Sequence, residues 1–158
     1  MGLRTKSMVL RRLREHLDEL ASLTEGLTPE LLKERPGDGR WSLHELGMHL
    51  AEVQDVFSER VARMLVEERP EVVPFVPDAA RREGSYLTRN FVEGMRRFRG
   101  QRENLLALLA SLTDRQWDLE GDHPEIRHYT VERCMESLMR HEEHHLYTMF
   151  NVFFGIRE

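Results

Sequence analysis

The sequence is poor in the residues that staple a chain or carry it through a membrane. Its 158 residues include one cysteine, Cys134, so no internal disulfide can form, and this suits a reducing compartment. No uninterrupted apolar run approaches the ~20 residues that a membrane-spanning helix needs. The charged start Met1-Gly2-Leu3-Arg4-Thr5-Lys6 is not followed by the apolar core of a secretion signal, so the expected location is cytoplasmic. An excess of basic charge is also missing. The 23 basic and 28 acidic residues give a net charge of −5, which argues against a general nucleic-acid binder. Lysine is nearly absent, with only Lys6 and Lys33 among the basic residues; this is a composition bias on which no function rests. There is no internal repeat and no low-complexity segment.

Enough apolar residues are present, 40% of the chain, to exclude a disordered protein. The length suits a single domain, residues 1–158. Proline and glycine cluster in a few breaks, at Pro36-Gly37-Asp38-Gly39, at Pro70 to Pro77 and at Gly121-Asp122-His123-Pro124. Proline lacks the amide donor and clashes in a helix interior, so these breaks separate helices.

Four long segments remain. The first, about Leu3 to Leu23, has Val9, Leu10, Leu13, Leu17, Leu20 and Leu23 at steps of three and four, one face of an amphipathic helix. Thr28-Pro29-Glu30 then reads as a cap and first turn of a short helix. The second segment opens on Ser42-Leu43-His44-Glu45, a capping box, and ends before Pro70. The third, about Ser85 to Leu112, carries a stripe from Leu87 to Leu112 that Arg102 interrupts. The fourth, from near Thr130 to about Phe154, has Val131, Cys134, Leu138, His141, His145, Met149 and Val152 on one face. With no alternating pattern anywhere, the fold class is all-α, a four-helix bundle. The connections after the first and third long helices are long enough to be crossovers.

The fourth stripe has two histidines where leucine or valine is due. His141 and His145 are four apart, so their side chains lie one turn apart on one face, roughly 5–6 Å between Cβ atoms. Imidazoles at that spacing can converge on one ion at about 2.0–2.1 Å each. The string His141-Glu142-Glu143-His144-His145 shares this logic with the zinc-protease helix, but we do not read it as that motif. A pair facing the core needs a partner, because a buried unpaired polar group costs roughly 1–3 kcal/mol. A third ligand must come from a facing helix, and His49, at the edge of the second stripe, is the best placed. His16, His44, His123 and His128 are expected to be exposed or capping. Cys134 is expected to pack in the core, Glu45 to serve the capping box and Glu52 to lie on a solvated face.

Trp41-Ser42-Leu43-His44-Glu45-Leu46-Gly47-Met48-His49-Leu50 resembles the Trp-Ser-x-x-Glu-x-x-x-His-Leu signature of the DinB/YfiT-like family. His141-Glu142-Glu143-His144-His145-Leu146 resembles its C-terminal His-x-x-His-His segment, and His123-Pro124-Glu125 with Tyr129-Thr130-Val131 resembles its run into the last helix. The likeness extends in order from about residue 8 to 154. It implies a four-helix bundle with a metal held by His49, His141 and His145, with His144 a neighbour. Thr148 stands where many relatives have glutamine.

The resemblance also implies a divalent transition metal, with zinc, nickel and iron all suited to imidazole. Some relatives use a low-molecular-weight thiol such as bacillithiol or mycothiol, and relatives often form homodimers. The expected function is a metal-dependent enzyme acting on a small molecule, with thiol S-transfer to an electrophile favoured. The alternatives are a hydrolase of a small amide or ester and a non-catalytic stress-related binding protein. No residue is assigned as catalytic acid or base, and no nucleic-acid or membrane partner is expected.

Overall fold

The computed structural model describes residues 3–37, 39–76 and 84–156, and the side chains from residue 5 onward within them. Met1, Gly2, Asp38 and Pro77, which figured in the sequence reading, lie outside the described residues. The elements are α1 (Leu3–Thr24), α2 (Pro29–Lys33), α3 (Leu43–Val66), a 3₁₀ turn (Ser85–Thr88), α4 (Phe91–Ser111), α5 (Asp114–Trp117), β1 (Glu120–Gly121), β2 (Tyr129–Thr130) and α6 (Val131–Phe153).

The four long helices form the bundle. Each of α1 and α3 packs against both α4 and α6. The helices α1 and α3, consecutive among the long ones, therefore stand on a diagonal, as do α4 and α6. The chain crosses the bundle after α1 and again after α4, where long connections were expected to allow it.

Local signals set the ends. Ser42 Oγ accepts from Glu45 N while the Glu45 carboxylate accepts from Ser42 N, so the capping box forms as its sequence predicts. Arg35 forks onto the same carboxylate at 2.9 and 2.5 Å. Thr28, Asn90, Thr113 and Thr130 cap α2, α4, α5 and α6. The third segment differs from expectation. Residues 85–88 form a separate 3₁₀ turn, and α4 starts only at Phe91. Arg89 is extended (φ −80°, ψ 147°) and Asn90 takes the cap, so the helix cannot run through them.

A short antiparallel ladder pairs Glu120 with Thr130 and Gly121 with Tyr129. Two residues per strand are too few to leave any alternation in the sequence. Asp122 continues it into a bridge with Glu71, with Val72 N donating to Asp122 O and Asp122 N to Pro70 O, both at 2.8 Å. This ties the segment after α3 to the crossover before α6. Glycine is required at 121, because a Cβ there would lie 2.8 Å from Val72 Cγ2 and 3.3 Å from Pro70 O.

The core has two apolar clusters. One joins Val9 and Leu13 of α1 to Val61, Leu109 and Leu138; the other joins Leu17 and Leu20 to Leu46, Leu50, Phe98 and Met149. At the centre of the bundle lies a polar network. Arg102 of α4 and Glu142 of α6 form a buried ion pair. Arg102 also donates to Gln54 Oε1 at 2.5 Å and to Leu13 O at 2.6 Å, and His16 Nδ1 donates to Glu142 at 2.7 Å. The interruption at Arg102 is thus a core position with a buried partner. His16, expected on the surface, is 2% exposed. Among the described residues, no helix is long and apolar enough to cross a membrane.

Candidate metal centre

His49 of α3 and His141 and His145 of α6 come together between the two helices. His49 Nε2 is 3.2 Å from His141 Nε2, and His145 Nε2 is 3.1 Å from it. One ligand atom from each of the three lies within 4.8 Å of the others. Two nitrogens held about 2.0–2.1 Å from one tetrahedral ion lie about 3.3 Å apart, so these separations suit a shared cation. Without one, His141 Nε2 has a single in-plane lone pair for two facing nitrogens. Burial pushes the His141 imidazole below its ordinary pKa, against the opposing pull of Glu142, which keeps it neutral and its lone pair free near neutral pH. A donor set of three imidazoles, each turning Nε2 toward the same point, fits a divalent transition ion.

The surroundings hold His49 in orientation. His49 Nδ1 lies 3.4 Å from Tyr86 Oη, and the Tyr86 hydroxyl donates to the Glu52 carboxylate. Arg89 stands 3.5 Å from Glu52 and stacks over the Tyr86 ring at 4.9 Å. Trp41 packs 4.9 Å from the His49 ring and is stacked on His145 at 6.4 Å. A carboxylate reaching a histidine ring through an intermediary fixes its tautomer.

Two expectations are corrected here, those for Glu52 and His44. Glu52, assigned to a solvated face, is held by Tyr86 and Arg89 behind the centre. His44, expected near an open helix end, is buried, with its Nε2–H donating to Tyr86 O at 2.9 Å and its ring against Phe91. The 3₁₀ turn covers it. His144 is exposed beside His145, at 5.1 Å between rings. His128 is exposed near Glu120. Thr148 Oγ1 donates to His144 O and stays on its own helix. Cys134 packs in the core, and burial pushes its thiol up to about 12.

His141 and Glu142 with His145 do have the His-Glu-x-x-His spacing. In a zinc protease the glutamate would be the general base, but Glu142 is 1% exposed and committed to Arg102 and His16. It is therefore a structural residue, and the sequence reading left it unassigned, as it did Tyr86.

A cleft of about 380 Å³ opens in front of the centre. Trp41, Phe57 and Phe75 supply its apolar walls, and Arg60, His123 and Glu125 its polar ones. His123 Nδ1 accepts from Glu125 N at 3.1 Å and Ile126 N at 3.2 Å, so the ring proton sits on Nε2. Burial and the Arg60 charge hold its pKa down, so the ring is a neutral donor.

A four-helix bundle with crossed connections and a three-histidine cluster facing a cleft defines a distinct class of helical protein. The chain belongs to the DinB superfamily, whose family model matches residues 12–149. The uncharacterized protein YuaE of Bacillus subtilis (strain 168) is 29% identical over 140 residues, covering 81% of this chain and 86% of YuaE. In fold, the chain is similar to YfiT from Bacillus subtilis, with a TM-score of 0.85 at 24% identity, over 96% of this chain and 87% of that one. YfiT is described as a probable metal-dependent hydrolase with an unusual four-helix bundle topology.

Proposed function

We propose that the protein is a metal-dependent enzyme in which His49, His141 and His145 hold a divalent transition metal, zinc, nickel or iron, and activate a small nucleophile. The observation that carries this is the convergence of three Nε2 atoms from two helices at 3.1 and 3.2 Å, beside an open cleft. A divalent ion with three neutral protein ligands and an open position would supply Lewis acidity, lowering the pKa of a thiol or water that it touches.

Thiol S-transfer to an electrophile, with a low-molecular-weight thiol as cosubstrate, is the favoured reaction. Glu142, the carboxylate next in sequence to the histidines, is locked in the core and unavailable as a base. A thiol needs only deprotonation, since the thiolate is itself the nucleophile. The residues then bind, orient and shield: His49 is held by Tyr86, and Trp41 and Phe75 wall the cleft against water.

A second reading, hydrolysis of a small amide or ester, is favoured by one observation. His123 presents a neutral Nε2–H in the same cleft and can donate a hydrogen bond to a carbonyl oxygen as negative charge develops on it, while the leaving group takes its proton from the metal-activated water. YfiT's description supports this reading as well.

Elemental analysis of the tag-free protein beside His141→Ala/His145→Ala tests the site. About one equivalent of a transition metal in the parent and none in the variant is expected. No uptake by the parent after incubation with zinc, nickel and iron would overturn the proposal. Turnover of an electrophile only when thiol is added separates transfer from hydrolysis.

A further inference from the structure

Among the described residues, the cleft holds a cation with no carboxylate partner. Arg60 follows His49, Val53 and Phe57 along one face of α3. Its Nη1 donates to Tyr129 Oη at 3.2 Å and its Nη2 to Val73 O at 2.7 Å, and its guanidinium lies 4.7 Å over the Phe57 ring. Both acceptors are neutral. Arg12, Arg35, Arg89 and Arg102 each face a carboxylate, whereas among the described residues none comes within ion-pair distance of Arg60. Glu125 lines the same cleft without pairing with it.

A guanidinium has five N–H donors in a planar fork. Two are committed here, and they fix the group in place. The remaining three suit a carboxylate, whose two oxygens match the fork. The Tyr129 ring joins Arg60 to His123, whose ring packs 4.8 Å from it and whose Nε2–H adds a second donor to the cleft. Arg60 lies three turns beyond His49, about 16 Å along the helix axis. Because its side chain leans back over Phe57, a ligand reaching from the guanidinium to the histidines is roughly 10 Å long.

We propose that Arg60 anchors the carboxylate of an elongated small substrate whose aromatic or apolar body lies against Trp41, Phe57 and Phe75. The reacting end then lies at the histidine centre. This last point rests on the proposed function, but the anchor itself does not.

The test is isothermal titration with phenylbutyrate and with its neutral amide. The proteins are the metal-loaded parent, His141→Ala/His145→Ala, Arg60→Gln and Arg60→Lys, each checked for folding by circular dichroism. The parent should bind the acid about tenfold more tightly than the amide, as one charge-assisted contact predicts. The preference should survive in the double-histidine variant, vanish in Arg60→Gln and persist in part in Arg60→Lys. Equal binding of acid and amide by the parent, or no binding of either, overturns the proposal, as does a preference retained in Arg60→Gln. A preference lost in the double-histidine variant shows that the ion held the carboxylate, and also overturns it. Should Arg60→Gln not fold, the parent and the double-histidine variant still decide. Elemental analysis run in parallel separates the two ideas: a metal-free parent that prefers the acid refutes the metal enzyme and leaves the anchor standing.

Discussion

Replacing Arg102 with methionine should destabilise the bundle by about 3 kcal/mol. Arg102 is fully buried and Glu142 is 1% exposed, so both charges are out of water and each depends on the other. Methionine fills much of the same volume but removes both hydrogen bonds to Glu142 and leaves Gln54 Oε1 and Leu13 O without their donor. Breaking a buried pair from one side costs about 3–5 kcal/mol. Glu142 keeps His16 Nδ1 at 2.7 Å, which sets the expectation at the lower end of that range. For a domain of this size the change lowers Tm by about 6–12 °C. Changing Arg102 and Glu142 together to methionine removes both charges, so the double variant should be more stable than Arg102→Met alone. The assay is urea unfolding followed by circular dichroism, with a chelator present so that ion binding adds nothing. An Arg102→Met protein within about 1 kcal/mol of the parent would refute the view of this pair as mutually dependent. So would a double variant that loses the sum of the two single changes.

Other consequences are as specific. Burial works to raise the Glu45 carboxyl, but the Arg35 hydrogen bonds and the Ser42 amide outweigh it and hold the pKa below its ordinary value. Its contribution is therefore complete above the unfolded carboxylate range and is lost as pH falls through the lower folded value. The stability difference between the parent and Glu45→Gln should shrink on acidification below about pH 4.5, and a difference independent of pH would contradict this. If the histidines hold a metal, Tyr86→Phe should weaken its binding about tenfold in chelator competition, because His49 loses the hydroxyl that links it to Glu52; unchanged affinity would show that Tyr86 does not orient the ligand. Cys134 should resist thiol reagents in the native protein and react once denatured, since its thiol is buried and pushed up to about 12. Gly47→Ala should cost more than Gly94→Ala. A Cβ at 47 meets the Phe91 ring at 2.7 Å, while one at 94 meets only the flexible end of Met48.

The parts of this molecule that were legible in the sequence are those written within one helix. Periodicity marks the four long helices, and Ser42 with Glu45 marks an end to within a residue. His141 and His145 stood out because they occupy apolar positions of a single stripe, and His49 because it lies at the edge of the facing one, a choice the resemblance repeated; the three rings do converge. What stayed hidden depends on which helices become neighbours. Arg102 looked like a flaw in the α4 stripe, and Glu142 like one more charge beside the histidines. Only the placement of α4 diagonally across from α6, with α1 and α3 between, shows them sharing the bundle axis with His16 and Gln54. His44 was misread for the same reason, since its acceptor, Tyr86 O, lies on a turn that exists only because the chain breaks at Arg89 and Asn90. The two kinds of polar residue on α6 therefore do opposite work. Glu142 spends its charge on Arg102 and His16 inside the bundle, whereas His141 and His145 bring two ring nitrogens to the cleft, where His49 of α3 supplies the third.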